Sequence, residues 1–107
     1  MQMLGRKFIN KNNMKQITLI TGAGRGIGKE IALKFASEKH DLILLVLKNK
    51  QKFELTKILK KKKINFKIFV GDLRNIKFIN SLNLKIKKVN NLINNAALAN
   101  TKHFIKV

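Results

Sequence analysis

The stretch Thr21-Gly22-Ala23-Gly24-Arg25-Gly26-Ile27-Gly28 packs four glycines between a short apolar run and an amphipathic one. A turn of this composition at the start of a helix suits the binding of phosphate. Orphan backbone N–H groups and the helix dipole favour an anion there, and glycine keeps side chains out of its path. The spacing G-x-G-x-x-G does not fit, because Ile27 and Lys29 occupy the positions where a third glycine would fall. The spacing T-G-x-x-x-G-x-G does. Two further segments, Gly71-Asp72-Leu73 and Asn94-Asn95-Ala96-Ala97, place polar side chains directly after apolar runs. Each has a purely structural alternative: Asp72 could cap a helix beginning near Asn75, and the asparagines could satisfy backbone groups in a turn.

The elements that must position these segments follow from periodicity. Ile17–Ile20 is β-branched and apolar, and Leu42–Leu47 is six apolar residues in a row; both read as strands buried on two faces. Between them Ile27, Ile31 and Phe35 recur every four residues with Ala32 and Ala36 beside them, as on a helix. Leu55, Ile58 and Leu59 mark a second helix within 50–63, whose closing run Lys60–Lys63 complements the helix dipole or, alternatively, meets phosphate. Ile64, Phe66, Ile68 and Val70 alternate as a third strand. Ile76, Ile79, Leu82 and Ile86 trace a third helix, and Val89–Ile93 reads as a fourth strand. This β-α-β-α-β-α-β order predicts an α/β fold. Right-handed crossovers make the sheet parallel and doubly wound, in a Rossmann-like arrangement with strand order 3-2-1-4 and three helices.

Glycine turn, Gly71-Asp72-Leu73 and Asn94-Asn95-Ala96-Ala97, in this order at the ends of the first, third and fourth strands, resemble the short-chain dehydrogenase/reductase family. The likeness runs from Lys15 to about Lys106 and corresponds to the front, cofactor-binding portion of a family member. Ala97 departs from the pattern, standing where the family most often has glycine. The resemblance implies an NAD(P)-dependent oxidoreductase acting on carbonyl or alcohol groups. It implies cofactor contacts at Gly22, Gly24, Arg25, Gly26, Ile27 and Gly28. It also implies adenine contacts from the Asp72 side chain and the Leu73 backbone, and a ribose border at Asn94 and Ala96. NADP(H) is expected over NAD(H): no acid stands at the end of the second strand, where one would hold the ribose hydroxyls of NAD. Lys48 lies beside that spot, and Arg25 sits in the glycine loop where NADP-preferring members place a basic residue. The family's catalytic tyrosine is absent, since the sequence contains no tyrosine, and Ser37 and Ser81 fall on helices. The expectation is therefore a dinucleotide-binding half without the catalytic half, inactive alone and in need of the remainder to handle a small carbonyl or alcohol substrate. The complete family member is expected to form oligomers.

Composition bounds the alternatives. The net charge of +19 arises from 24 basic and 5 acidic residues, of which only Arg6, Arg25 and Arg74 are arginine. Lysine, asparagine and isoleucine abound and proline is missing, as an AT-biased coding sequence would produce. A basic nucleic-acid-binding protein is thus the third reading, behind a non-catalytic nucleotide-binding module, for it would favour arginine forks and stacking aromatics. There is no cysteine, so disulfides and thiolate metal sites are excluded, and no metal site is expected. No apolar run approaches the length of a membrane span, which makes a cytoplasmic location the expectation. His40 and His103 each stand alone and read as solvated loop residues. Residues 1–15 form a basic tail or an upstream misreading ahead of Met14, and 16–107 are expected to be the N-terminal part of a single, truncated NAD(P)-binding Rossmann domain.

Overall fold

The computed structural model describes residues 15–96; the tail at 1–14, Ala97 and His103 lie outside the described residues. Strands β1 (Ile17–Thr21), β2 (Asp41–Val46), β3 (Phe66–Val70) and β4 (Asn91–Asn94) alternate with helices α1 (Gly26–Ser37), α2 (Asn49–Leu59) and α3 (Ile76–Lys85). All pairings are parallel and the spatial order is β3-β2-β1-β4, the expected Rossmann-like arrangement.

Side-chain alternation sorts the core into two layers. Ile20, Leu42, Leu44 and Val46 point to one face, where they meet Ala32 and Ala36 of α1 and Leu55 and Leu59 of α2. Leu19 and Leu45 point to the other, where Ile79 and Leu82 of α3 and the following Ile86 cover them. Strand β2 therefore presents apolar side chains to both layers, which explains its continuous hydrophobic run, while β1 is buried on both sides with Thr18 and Thr21 among its apolar residues.

Helix α1 corrects the sequence reading of its inner face. The fully buried stripe is Gly28, Ala32 and Ala36, whereas Ile27 is 72% exposed. Ile31 and Phe35 are half-buried and pack along the flanks of that stripe. Small residues win the centre because they let the helix axis approach the sheet; larger ones are then displaced to either side. Helix α2 ends at Leu59, earlier than its lysine run suggests. The amides of Lys60, Lys61 and Lys62 donate to the carbonyls of Thr56, Ile58 and Leu59, and Lys63 turns into the left-handed region at φ 57°. The lysines thus wind around a helix C-terminus, where cations are favoured. Strand β2 stops at Val46, leaving Leu47 55% exposed.

His40 is not a solvated loop residue. Its Nδ1 lies 2.9 Å from the Oγ1 of Thr18, and its ring stands edge-on to Phe35 with centroids 4.8 Å apart. The Asn91 amide donates to the same Thr18 oxygen at 3.1 Å. Asp41, at the same end of the sheet, accepts from the Asn65 amide at 3.0 Å, at the edge opposite the glycine turn.

Leu44 has no exposed surface and sits mid-strand between β1 and β3. Leu44→Ala should cost about 2–5 kcal/mol, the usual range for emptying such a site, read as a lower urea midpoint with an unchanged slope.

Candidate functional site

The C-terminal ends of β1, β2 and β3 and the segment after β4 converge on one cleft of about 530 Å³. Its shape starts with two glycines. Gly28 lies in the first turn of α1, where a β-carbon would fall on the carbonyl oxygen of Gly22. Only glycine permits the strand end and the helix to touch. Gly26 has φ 58°, a conformation side-chain-bearing residues rarely adopt, and a β-carbon there would meet nothing within 4 Å. The space over Gly26 is therefore open.

None of the three helices has an acid in its first turn, and they differ in how their starts are capped. Helix α3 is capped by Asn75, whose side-chain oxygen accepts from the amides of Lys77 and Phe78 at 2.9 and 3.3 Å. Asn75 therefore fills the capping role that the sequence reading offered to Asp72 as an alternative. At the start of α2 the Gln51 carboxamide oxygen accepts from the amides of Leu47 and Lys48 at 3.1 and 3.0 Å. Helix α1 receives no side-chain cap from Arg25 and has no acid in its first turn. Its amides face the cleft with Arg25 exposed beside them. The donors, the positive helix end and the absent β-carbons fit a pyrophosphate.

Gly22, Gly24, Arg25, Gly26, Asp72, Leu73 and Ala96 all line this cleft. Ile27 and Lys48 line a larger, more open groove next to it, between the starts of α1 and α2, to which Gly24, Arg25 and Gly26 also contribute. Gly28 is buried beneath the loop. Asn94 lines neither; its side-chain oxygen accepts from the Thr21 hydroxyl at 3.0 Å. The same hydroxyl oxygen accepts from the Ala96 amide at 3.0 Å, and the Asn95 amide donates to the Gly22 carbonyl at 3.2 Å. Thr21 and Asn95 thereby lash the segment after β4 to the glycine turn.

Three contributors escaped the sequence reading. Thr21 opens the motif but carries its weight through a buried hydroxyl, which a strand residue does not advertise. Gln51 stands in an exposed-looking helix turn, and only its spacing of three after Lys48 hinted at a capping contact. Arg74 lines the cleft and forks onto Asp72: its Nη2 donates to Oδ2 at 2.7 Å and its Nε to Oδ1 at 3.1 Å, while its backbone amide donates to Oδ1 at 2.9 Å. The side-chain bonds first, and the amide second, hold the Asp72 carboxyl down from 3.8 to about 2.

The model of the short chain dehydrogenase family matches residues 16–107. Among solved structures, the bulky-bulky ketone specific alcohol dehydrogenase from Comamonas testosteroni is 27% identical with a TM-score of 0.71, over 78% of this chain and 36% of that one. A short-chain dehydrogenase from Sphingobium yanoikuyae in complex with NADPH is 28% identical with a TM-score of 0.71, over 78% and 34%. L-sorbose reductase from Gluconobacter frateurii, complexed with NADPH and L-sorbose, is 25% identical with a TM-score of 0.69, over 78% and 34%. The chain spans about a third of the length of these structures. No curated protein matches it. Among the described residues no helix is long and apolar enough to cross a membrane, and no cluster of three metal-ligating side chains occurs.

A carboxyl whose folded pKa is depressed supports the fold above its unfolded value and loses that support as pH falls through the folded one. For Asp72 the window runs from 3.8 down to about 2. Arg74→Ala removes the larger cause and should move the Asp72 midpoint upward in an NMR titration of its carboxyl carbon. A midpoint still near 2 would assign the effect to the backbone amide alone.

Proposed function

The chain belongs to the short-chain dehydrogenase family, and we propose that it binds a nicotinamide dinucleotide, NADP(H) in preference to NAD(H), as the cofactor-binding portion of an oxidoreductase acting on carbonyl or alcohol groups. The observation that carries this reading is the uncapped start of α1 above the glycine turn. A side chain takes the first amides of α3, whereas α1 receives no side-chain cap and begins at a glycine with open space over it.

The bound cofactor would supply hydride chemistry at its nicotinamide ring. The residues of this chain hold and orient it. Amides at the start of α1 receive the pyrophosphate, and the missing side chain at Gly26 leaves room for it. Asp72 and the Leu73 backbone border the adenine, with Arg74 holding the Asp72 carboxylate in one orientation. Asn94 acts at second hand: through Thr21 it places Ala96 at the ribose side of the cleft. Preference for the extra phosphate of NADP rests on Arg25 in the loop and Lys48 at the start of α2, both exposed and bordering the groove between α1 and α2. Two of the similar structures, the Sphingobium yanoikuyae dehydrogenase and L-sorbose reductase, are NADPH complexes, which supports the same choice. No side chain of this chain is assigned to proton transfer, so a chain of these residues alone should turn over no carbonyl substrate. A cytoplasmic location belongs to the same proposal.

Titration of the purified chain with NADPH and NADH at one fixed salt concentration should give tighter binding of NADPH, and Arg25→Ala should narrow the difference. Equal affinities, or tighter NADH binding, would overturn the preference. Gly26→Val tests the loop itself. The free chain has room for the side chain and should stay folded at a backbone cost of about 1–2 kcal/mol, whereas dinucleotide binding should disappear. A folded variant that still binds would place the cofactor elsewhere.

A further inference from the structure

Gly24 is not one of the glycines that the T-G-x-x-x-G-x-G spacing requires, yet the space where its side chain would stand is taken by another side chain, where at Gly28 it is taken by backbone. A β-carbon at Gly24 would fall on the carboxamide of Gln51, with Nε2 at 2.9 Å. The Gln51 side chain therefore lies flat across the glycine loop. Its orientation is fixed chemically, because the two groups it meets at the end of β2, the amides of Leu47 and Lys48, are both donors and demand its oxygen. Among the described residues no acceptor meets its NH2 half, and the residue borders both the main cleft and the groove beside it. Arg25 and Lys48 border that same groove.

We propose that Gln51 determines cofactor specificity by presenting its carboxamide NH2 to the phosphate on the adenosine ribose, between the cations of Arg25 and Lys48. The proposal rests on the dinucleotide reading above. Its chemistry is a donor already oriented: the two backbone bonds hold the amide plane, so binding an anionic oxygen costs little further ordering of the side chain. Glycine at position 24 follows as the residue that leaves the carboxamide its place.

Gln51→Glu separates this role from a structural one. Glutamate keeps an oxygen for the Leu47 and Lys48 amides, as acids three residues into a helix commonly do, and replaces only the NH2 with a second, charged oxygen. In fluorescence titrations of the whole chain, NADPH affinity should fall by about tenfold or more, since a donor becomes a like charge beside the phosphate, while NADH affinity should change by less than about twofold. Gly24→Ala, which displaces the carboxamide without altering charge, should lower NADPH affinity in the same direction by a smaller factor, with an unchanged circular dichroism spectrum. An NADPH-to-NADH affinity ratio unmoved by both variants, in a chain whose binding is abolished by Gly26→Val, would overturn the role of Gln51 and leave the dinucleotide reading standing. A wild-type chain that binds neither dinucleotide would overturn both.

Discussion

The contact between Gly28 and the carbonyl of Gly22 is the constraint from which the rest of the arrangement descends. With no β-carbon between them, helix α1 begins where strand β1 ends, and its first turn points its amides over the sheet edge. The small residues continue at Ala32 and Ala36, so the helix stays close to the sheet along its length and its larger apolar side chains spread over the neighbouring strands. Move that first contact by the width of a methyl group and both the packing of α1 and the aim of its donors change together. Core and site are here one piece of geometry.

Capping and charge then divide the work among the three helices. Asn75 satisfies the start of α3 from within the chain, and Gln51 takes the two amides that lead into α2. Arg25 at the start of α1 adds positive charge to an end that is already positive, an arrangement unfavourable for the helix alone and favourable once an anion arrives. The Asp72–Arg74 pair keeps the one carboxylate on the cleft wall neutralised locally. A chain this basic keeps few acids, and pairing the one that lines this cleft limits its effect on the positive potential there.

The fold was legible because each of its signals is local. Leu42–Leu47 reads as a buried strand from apolar continuity, and the glycine spacing marks the turn without reference to anything distant. The inner face of α1 was misread because amphipathic counting favours Ile27, Ile31 and Phe35 by size, whereas the sheet selects Gly28, Ala32 and Ala36 by lack of it. His40 was misread for a similar reason: its partner Thr18 lies 22 residues away and its ring neighbour Phe35 belongs to another element. In the cleft, the glycines and Asp72 were visible as types, but the tethering by Thr21 and Asn95 joins residues more than 70 positions apart and leaves no local pattern.

That separation bears on how the sheet closes. The pairing of β1 with β4 joins residues 73 apart in the chain, about three times the span joined by β1 and β2. On loop-closure entropy alone, the longer span costs about 1 kcal/mol more, and β4 has only four residues with which to offset it. Its first and last residues, Asn91 and Asn94, stand opposite Thr18 and Thr21 in the register, and each is hydrogen-bonded to its threonine. A shift of one residue would break both pairs at once and turn the asparagines to the wrong faces. Two buried hydroxyls on β1 thus act as a vernier: they accept β4 in one alignment only, and with it they set the height of the cleft rim that Asn95 and Ala96 form.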